Sequence, residues 1–107
     1  MAVTSTQTNN DIRNVAVGAY ISTGTAAAFD ITTGFKPRYV RIVNETSGDV
    51  EEWYEGMADS EAYKRVAAGT GALITSNGII PLTAGFTVGL DTDINVISEQ
   101  LSWIAIG

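Results

Sequence analysis

The chain predicts an all-β fold: an antiparallel β-sandwich, jelly-roll-like, with eight to nine short strands and an extended N-terminal arm. Three observations carry this reading. Apolar and polar residues alternate over runs of roughly 4–8 residues, the period of a half-buried strand. Turn-forming Gly, Asn and Asp recur between those runs at roughly 8–12-residue spacing, as in sandwiches and barrels. Glycine is frequent at 11, proline is scarce at 2, and β-branched residues are common, a mixture that suits strands joined by tight turns. The 107 residues, 45% of them apolar, suit one domain with its own core. They divide into an arm, 1–12, and a single β domain, 13–107.

The elements follow in order. Residues 1–10 are polar and unpatterned, as expected of a loose arm that is tied down either by a neighbouring subunit or by packing on its own domain. Residues 13–22 read as a first strand, with Val15 and Val17 alternating against Asn14 and Ala16. Gly18 inside it marks a bulge or a close approach. Thr23, Gly24 and Thr25 form a turn. A second strand, 27–33, puts Phe29 and Ile31 on one face and ends at Gly34. Residues 38–44 are the clearest strand, with Val40 and Ile42 on one face and Tyr39, Arg41 and Val43 on the other. Pro37 stands just before it, where a missing N–H does least harm.

After a turn at 45–49, the strand 50–55 alternates Val50, Glu52 and Tyr54 with Glu51, Trp53 and Glu55. Trp53 is the core anchor and Tyr54 the exposed aromatic. An antiparallel hairpin of these two strands sets bases against acids and allows cross-strand pairs of Arg41 with Glu51 or Glu52. Residues 58–68 admit two readings. Asp59 or Ser60 would cap a short helix that Gly69 closes, while Ala62, Lys64 and Val66 alternate like a strand. The narrow span between Gly56 and Gly69 favours the strand. Residues 73–76 and 79–82, joined by Asn77-Gly78, read as a hairpin with a two-residue turn of positive φ at both positions. Residues 86–89 form a short strand and 91–95 a loop. The last strand, 100–106, sets Leu101, Trp103 and Ala105 against Ser102, Ile104 and Ile106. Its two apolar faces imply burial on both sides or contact with a neighbouring subunit.

Composition also narrows the function. The chain has no Cys, so disulfides, thiol chemistry and cysteine-based metal sites are excluded. It has no His, which removes the commonest general base and the commonest nitrogen ligand. Carboxylates and lysines remain able to act. Twelve acids against six bases give a net charge of −6, unsuited to the phosphate backbone of nucleic acid. That charge serves solubility or a basic partner. Residues 1–11 have no basic start and no apolar run, so no signal peptide and a cytoplasmic synthesis are expected. No stretch approaches the length of a membrane helix.

The motifs that could carry chemistry are weak. Asp91-Thr-Asp93-Ile-Asn95 opens like a calcium loop, but Val96 and Ser102 stand where that loop needs Gly and Glu. An Asx-rich turn fits better. Asp49, Glu51, Glu52, Glu55, Asp59 and Glu61 could supply a carboxylate pair of glycosidase type, with no legible sugar cleft around it. Gly69-Thr-Gly71 lacks the ending and the helix of a phosphate loop. Tyr39, Trp53, Tyr54 and Tyr63 form a candidate aromatic patch, for a protein partner or a sugar.

Gly34-Phe-Lys-Pro-Arg-Tyr-Val-Arg-Ile-Val-Asn44, Glu52-Trp-Tyr-Glu-Gly-Met-Ala-Asp59, Ile74-Thr-Ser-Asn-Gly-Ile79 and Gly85-Phe-Thr-Val-Gly89 together resemble the capsid decoration (cement) proteins of tailed bacteriophages. The resemblance spans about residues 34–106 and rests on phrasing rather than on one diagnostic motif. It implies a homotrimer on the outer surface of the virion head that clamps neighbouring major capsid proteins, assembled in the host cytoplasm. It implies no catalytic residue, no cofactor and no metal, and no nucleic-acid, membrane or small-molecule partner. The alternative is a tail-fibre or receptor-binding β module contacting host glycan. The interface residues expected from the strand pattern are Thr4, Thr6 and Arg13 near the arm, Arg41, Tyr54 and Tyr63 on outward faces, and Ile104 and Ile106 on the last strand.

Overall fold

In the computed structural model, residues 14–22 and 27–107 are described. The expected arm, Arg13 and the expected turn at 23–25 lie outside them. The described chain is all-β, with nine strands: β1 (Val15–Ile21), β2 (Phe29–Thr32), β3 (Tyr39–Asn44), β4 (Val50–Tyr54), β5 (Ala62–Arg65), β6 (Gly71–Ile74), β7 (Ile79–Leu82), β8 (Gly85–Val88) and β9 (Gln100–Ile106). They form a sandwich of unequal antiparallel sheets. The larger has six strands in the order β1-β9-β3-β4-β5-β6, and the smaller three in the order β2-β8-β7.

The core lies between the sheets and follows from strand alternation. Val40, Ile42, Trp53, Leu101 and Ala105 point inward from the larger sheet and meet Ile79, Phe86 and Val88 of the smaller one, with Ile94 from the 89–99 loop. Each buried Val, Ile, Leu or Phe side chain among them contributes about 1.5–3 kcal/mol. Two edge-to-face ring pairs tie the layers together: Phe86 on Trp103 at 5.3 Å, and Tyr20 on Phe29 at 5.0 Å. Two side chains at the seam find backbone partners. The Tyr20 hydroxyl donates to the Ile94 carbonyl at 2.6 Å, and the Trp53 indole donates to the Ala58 carbonyl at 3.2 Å.

Most expected strands occur, shortened by a residue or two at their ends. The hairpin of β3 and β4 pairs Arg41 with Glu52 in register. Its turn is built by buried Asn44, whose Oδ1 accepts from the amides of Thr46 and Ser47, an Asx turn. The ambiguous 58–68 segment holds a strand, β5, paired on both sides. Gly18 marks a close approach: it faces Trp103 across β1 and β9, and a Cβ there would stand 2.6 Å from the indole.

The Asn77-Gly78 hairpin is not formed. Among the described residues β6 pairs only with β5, and β7 only with β8, so the two flanking strands belong to different sheets. Asn77 does take a positive φ of 62°, but Gly78 does not. The dipeptide is a crossover between layers, gripped from both sides. Gly78 N–H donates to the Ser60 carbonyl at 2.9 Å, and its own carbonyl accepts from Gly89 N–H at 2.8 Å. A Cβ on Gly78 would meet the Ser60 and Glu61 carbonyl oxygens at 2.6 Å. Glycine is needed there for close packing of backbones, not for the turn type that the dipeptide suggests. The tight hairpin lies one element later, where Leu82 and Gly85 pair across Thr83 and Ala84.

Candidate interaction surface

The smaller sheet covers one face of the larger. The other face is left open by the described residues, and its members follow from register alone, because residues directly opposite share a face. Val15, Val17, Ala19 and Ile21 of β1 lie beside Ile106, Ile104, Ser102 and Gln100 of β9. Next come Tyr39, Arg41 and Val43 of β3, then Tyr54 and Glu52 of β4. Val50 of β4, Tyr63 and the exposed Arg65 of β5, and Leu73 and Gly71 of β6 complete it. The exposed large hydrophobic residues concentrate here: Val15, Val17, Ile21, Tyr54, Tyr63, Leu73 and Ile106, with only Leu90 and Ile97 elsewhere among the described residues. One open sheet face therefore collects nearly all the exposed apolar bulk, which is how association surfaces differ from scattered exposure.

The face has two halves. The β1–β9 half is aliphatic and uncharged. Its exposure peaks at Val17, which is 71% accessible. The β3–β6 half is aromatic and polar. Tyr39 and Tyr54 lie 5.2 Å apart with rings tilted by 48°, and both hydroxyls donate to the Glu52 carboxylate, at 2.5 and 3.3 Å. Burial, then the hydrogen bond to Glu52 and its charge, raise the Tyr39 phenol above its ordinary value. Glu52 is thus engaged by tyrosines. The ion pairs expected of Arg41 are made by other residues: Arg38 with Glu55 at 3.2 Å, and Lys64 with Asp91 and Asp93 at 3.1 and 2.5 Å. Two open hollows lie along this sheet: one of about 210 Å³ lined by Arg41, Val43, Ser102, Trp103 and Ile104, and one of about 340 Å³ lined by Ala19, Tyr20, Ile21 and Gln100.

Five of the expected interface residues, Arg41, Tyr54, Tyr63, Ile104 and Ile106, come together on this face. Thr4, Thr6 and Arg13 lie outside the described residues. The expectation did not include Val15, Val17, Ile21 and Leu73, which the register adds. Their alternation was visible in sequence, but not which sheet face would be left uncovered.

A second cluster lies on the covered face. Alternation sends Glu52 outward and Glu51 inward, next to Lys64, which faces it from β5. Glu51 is fully buried, and among the described residues no donor reaches either carboxyl oxygen. Asp91 and Asp93 approach from the 89–99 loop, where Asp91 Oδ2 accepts from the Asp93 amide, an Asx turn. Burial, then a hydrogen bond to Asp91 and that residue's charge, push the Glu51 carboxyl up to about 10. It is therefore a neutral acid at pH 7, and its proton is what lets the two carboxyls bond. Burial opposes ionisation of Asp91, but the bonds from Glu51 and Lys64 outweigh it and hold that carboxyl low. Asp49 is held low chiefly by Asp93, and its Oδ1 also accepts from the Ala67 amide at 2.9 Å. The cation among these carboxylates is the Lys64 ammonium. The acids between 49 and 61 are largely dispersed: Glu51 is in the core, Glu52 is on the open face, Glu55 is on Arg38, and Glu61 accepts from the Ala58 amide at 2.7 Å.

No family model, curated protein or solved structure matches this chain.

Proposed function

We propose that this chain is a non-enzymatic structural protein that works by docking through the open face of its six-stranded sheet. The observation that carries this reading is the gathering of exposed apolar and aromatic side chains on that one face. Tyrosine and arginine set among aliphatic residues are what interface centres favour. In its specific form, the partner is the major capsid protein of a tailed bacteriophage. The chain binds the outer surface of the head as a homotrimer, and clamps neighbouring capsid subunits. The resemblance of residues 34–106 supports that form, and three linked contacts would raise avidity without strong individual ones. This reading requires no cofactor, nucleic acid, membrane or small-molecule substrate.

Co-sedimentation with undecorated heads tests it. The protein should pellet with the heads, and image reconstruction should show it in groups of three. Replacing Tyr54 and Tyr63 together by Ala should weaken retention by about tenfold or more, given about 1 kcal/mol or more per interface tyrosine. Failure of the folded protein to bind any head would reject the capsid form.

One observation favours a second reading, a receptor-binding module that contacts host glycan. The paired Tyr39 and Tyr54 rings beside the Glu52 carboxylate offer a sugar both a stacking surface and an acceptor. Binding on a glycan array that is lost in Tyr54→Ala, with no head binding, would select it.

A further inference from the structure

A sheet edge with free backbone groups recruits another strand unless something guards it. Three of the four sheet edges here are guarded. β2 is four residues long and carries Asp30, and β7 has Pro81 in mid-strand, with no N–H to give. β6 is also only four residues long, so alternation leaves two residues at most facing outward. β1 is different. It has seven residues, Val-Ala-Val-Gly-Ala-Tyr-Ile, with no charge and no proline, and among the described residues only β9 pairs with it.

The ladder fixes which groups are free. Asn14 and Gly107 exchange both backbone hydrogen bonds, at 3.3 and 2.8 Å. Bonded residues alternate in an antiparallel pair, and the register from Val15↔Ile106 to Ile21↔Gln100 is unbroken. Ala16, Gly18 and Tyr20 therefore bond to β9. Val15, Val17, Ala19 and Ile21 turn their N–H and C=O groups to the open edge.

We propose that a second copy of this chain pairs antiparallel with β1 about a two-fold axis through Gly18. In that register Val15 meets Ile21 of the other copy and Val17 meets Ala19, so every outward N–H and C=O on both strands finds a partner. No side chain in the joint is charged. On the open face Val15 stacks on Ile21 and Val17 on Ala19, the kind of cross-strand pair that stabilises sheets. A chain of net charge −6 repels its own kind, and β1 with β9 is where that repulsion is weakest. Neither strand holds a charged residue. The product is a continuous twelve-stranded sheet with one unbroken aliphatic strip. The joint is independent of the capsid reading. A copy that sits in a three-fold cluster and also makes this two-fold joint would link one cluster to the next.

Sedimentation velocity of the full chain over a wide concentration range tests this. The mass of the smallest species should double with concentration. Because the joint is neutral and only the repulsion is screened, the doubling should strengthen with added salt. Val17→Lys places like charges across the axis, and Ala19→Pro removes an outward donor. Each should raise the dissociation constant at least tenfold, while Leu73→Lys at the opposite edge should not. Circular dichroism checks that the variants fold. In this cysteine-free chain, the double variant V17C/A19C should form a disulfide-linked dimer. A mass that never doubles, or a doubling indifferent to Val17→Lys, would overturn the inference. So would a constant mass with the amides of Val15, Val17, Ala19 and Ile21 protected from hydrogen exchange, which would place the chain's own N-terminal segment on the edge.

Discussion

Glu51 shows what one residue's placement can do to the whole molecule's response to pH. Its folded carboxyl is raised to about 10 from an ordinary 4.5, so the folded state holds a proton that the unfolded state has released. Stability therefore falls with rising pH across that window: the contribution is complete below about 4.5 and lost as pH climbs toward 10. Glu51→Gln removes the titration, and its amide can still donate to Asp91. The variant should melt several degrees above the parent at about pH 8, with the gap closing by about pH 5. A parallel pair of melting curves, equally spaced at all pH values, would contradict the assignment. Alternation had already put Glu51 on the face of Trp53. Its partners were not legible, because Asp91 and Asp93 arrive from a loop whose path no periodicity records.

At the scale of elements, alternation located the strands well, and the turn chemistry of Asn77-Gly78 misled. The dipeptide is a strong hairpin signal when its neighbours pair. Here the strand before it is taken by β5 and the strand after it by β8, and tertiary pairing outweighs the local preference. Gly78 keeps its importance for a different reason, the 2.6 Å approach of two carbonyl oxygens to the place of a Cβ. Gly78→Ala should cost about 1–3 kcal/mol, the usual penalty for overpacking, read as a lower midpoint in denaturant. Asn77→Gly, which keeps the positive φ accessible, should cost far less. Equal penalties at the two positions would restore the hairpin explanation. The pairing of β3 with β4 was legible because both strands alternate cleanly, but the Asx turn at Asn44 and the hold of Tyr39 and Tyr54 on Glu52 were not.

For the whole molecule, the uneven division into six strands and three determines which surface stays open. The smaller sheet shields Val40, Ile42, Leu101 and Ala105, and among the described residues the opposite face of the larger sheet has no covering layer. Sequence alone supplied the two-faced character of β9 and the outward tyrosines. It could not supply the unequal sheets, which rest on pairings between residues as distant as Val15 and Ile106. The aliphatic half of the open face, with its unguarded edge, suits a second copy, and the aromatic half suits a different partner. Edge pairing extends this face without covering it, so only docking requires the face to be covered in the working assembly. The most direct measurement is hydrogen exchange on the protein alone and bound to phage heads. Amides of β3 to β6, with those of Arg41, Tyr54 and Tyr63 foremost, should gain protection on binding, while β2 and β7 stay unchanged. Protection confined to β2, β7 and their loops would mean that the molecule docks through its smaller sheet, and would contradict the account.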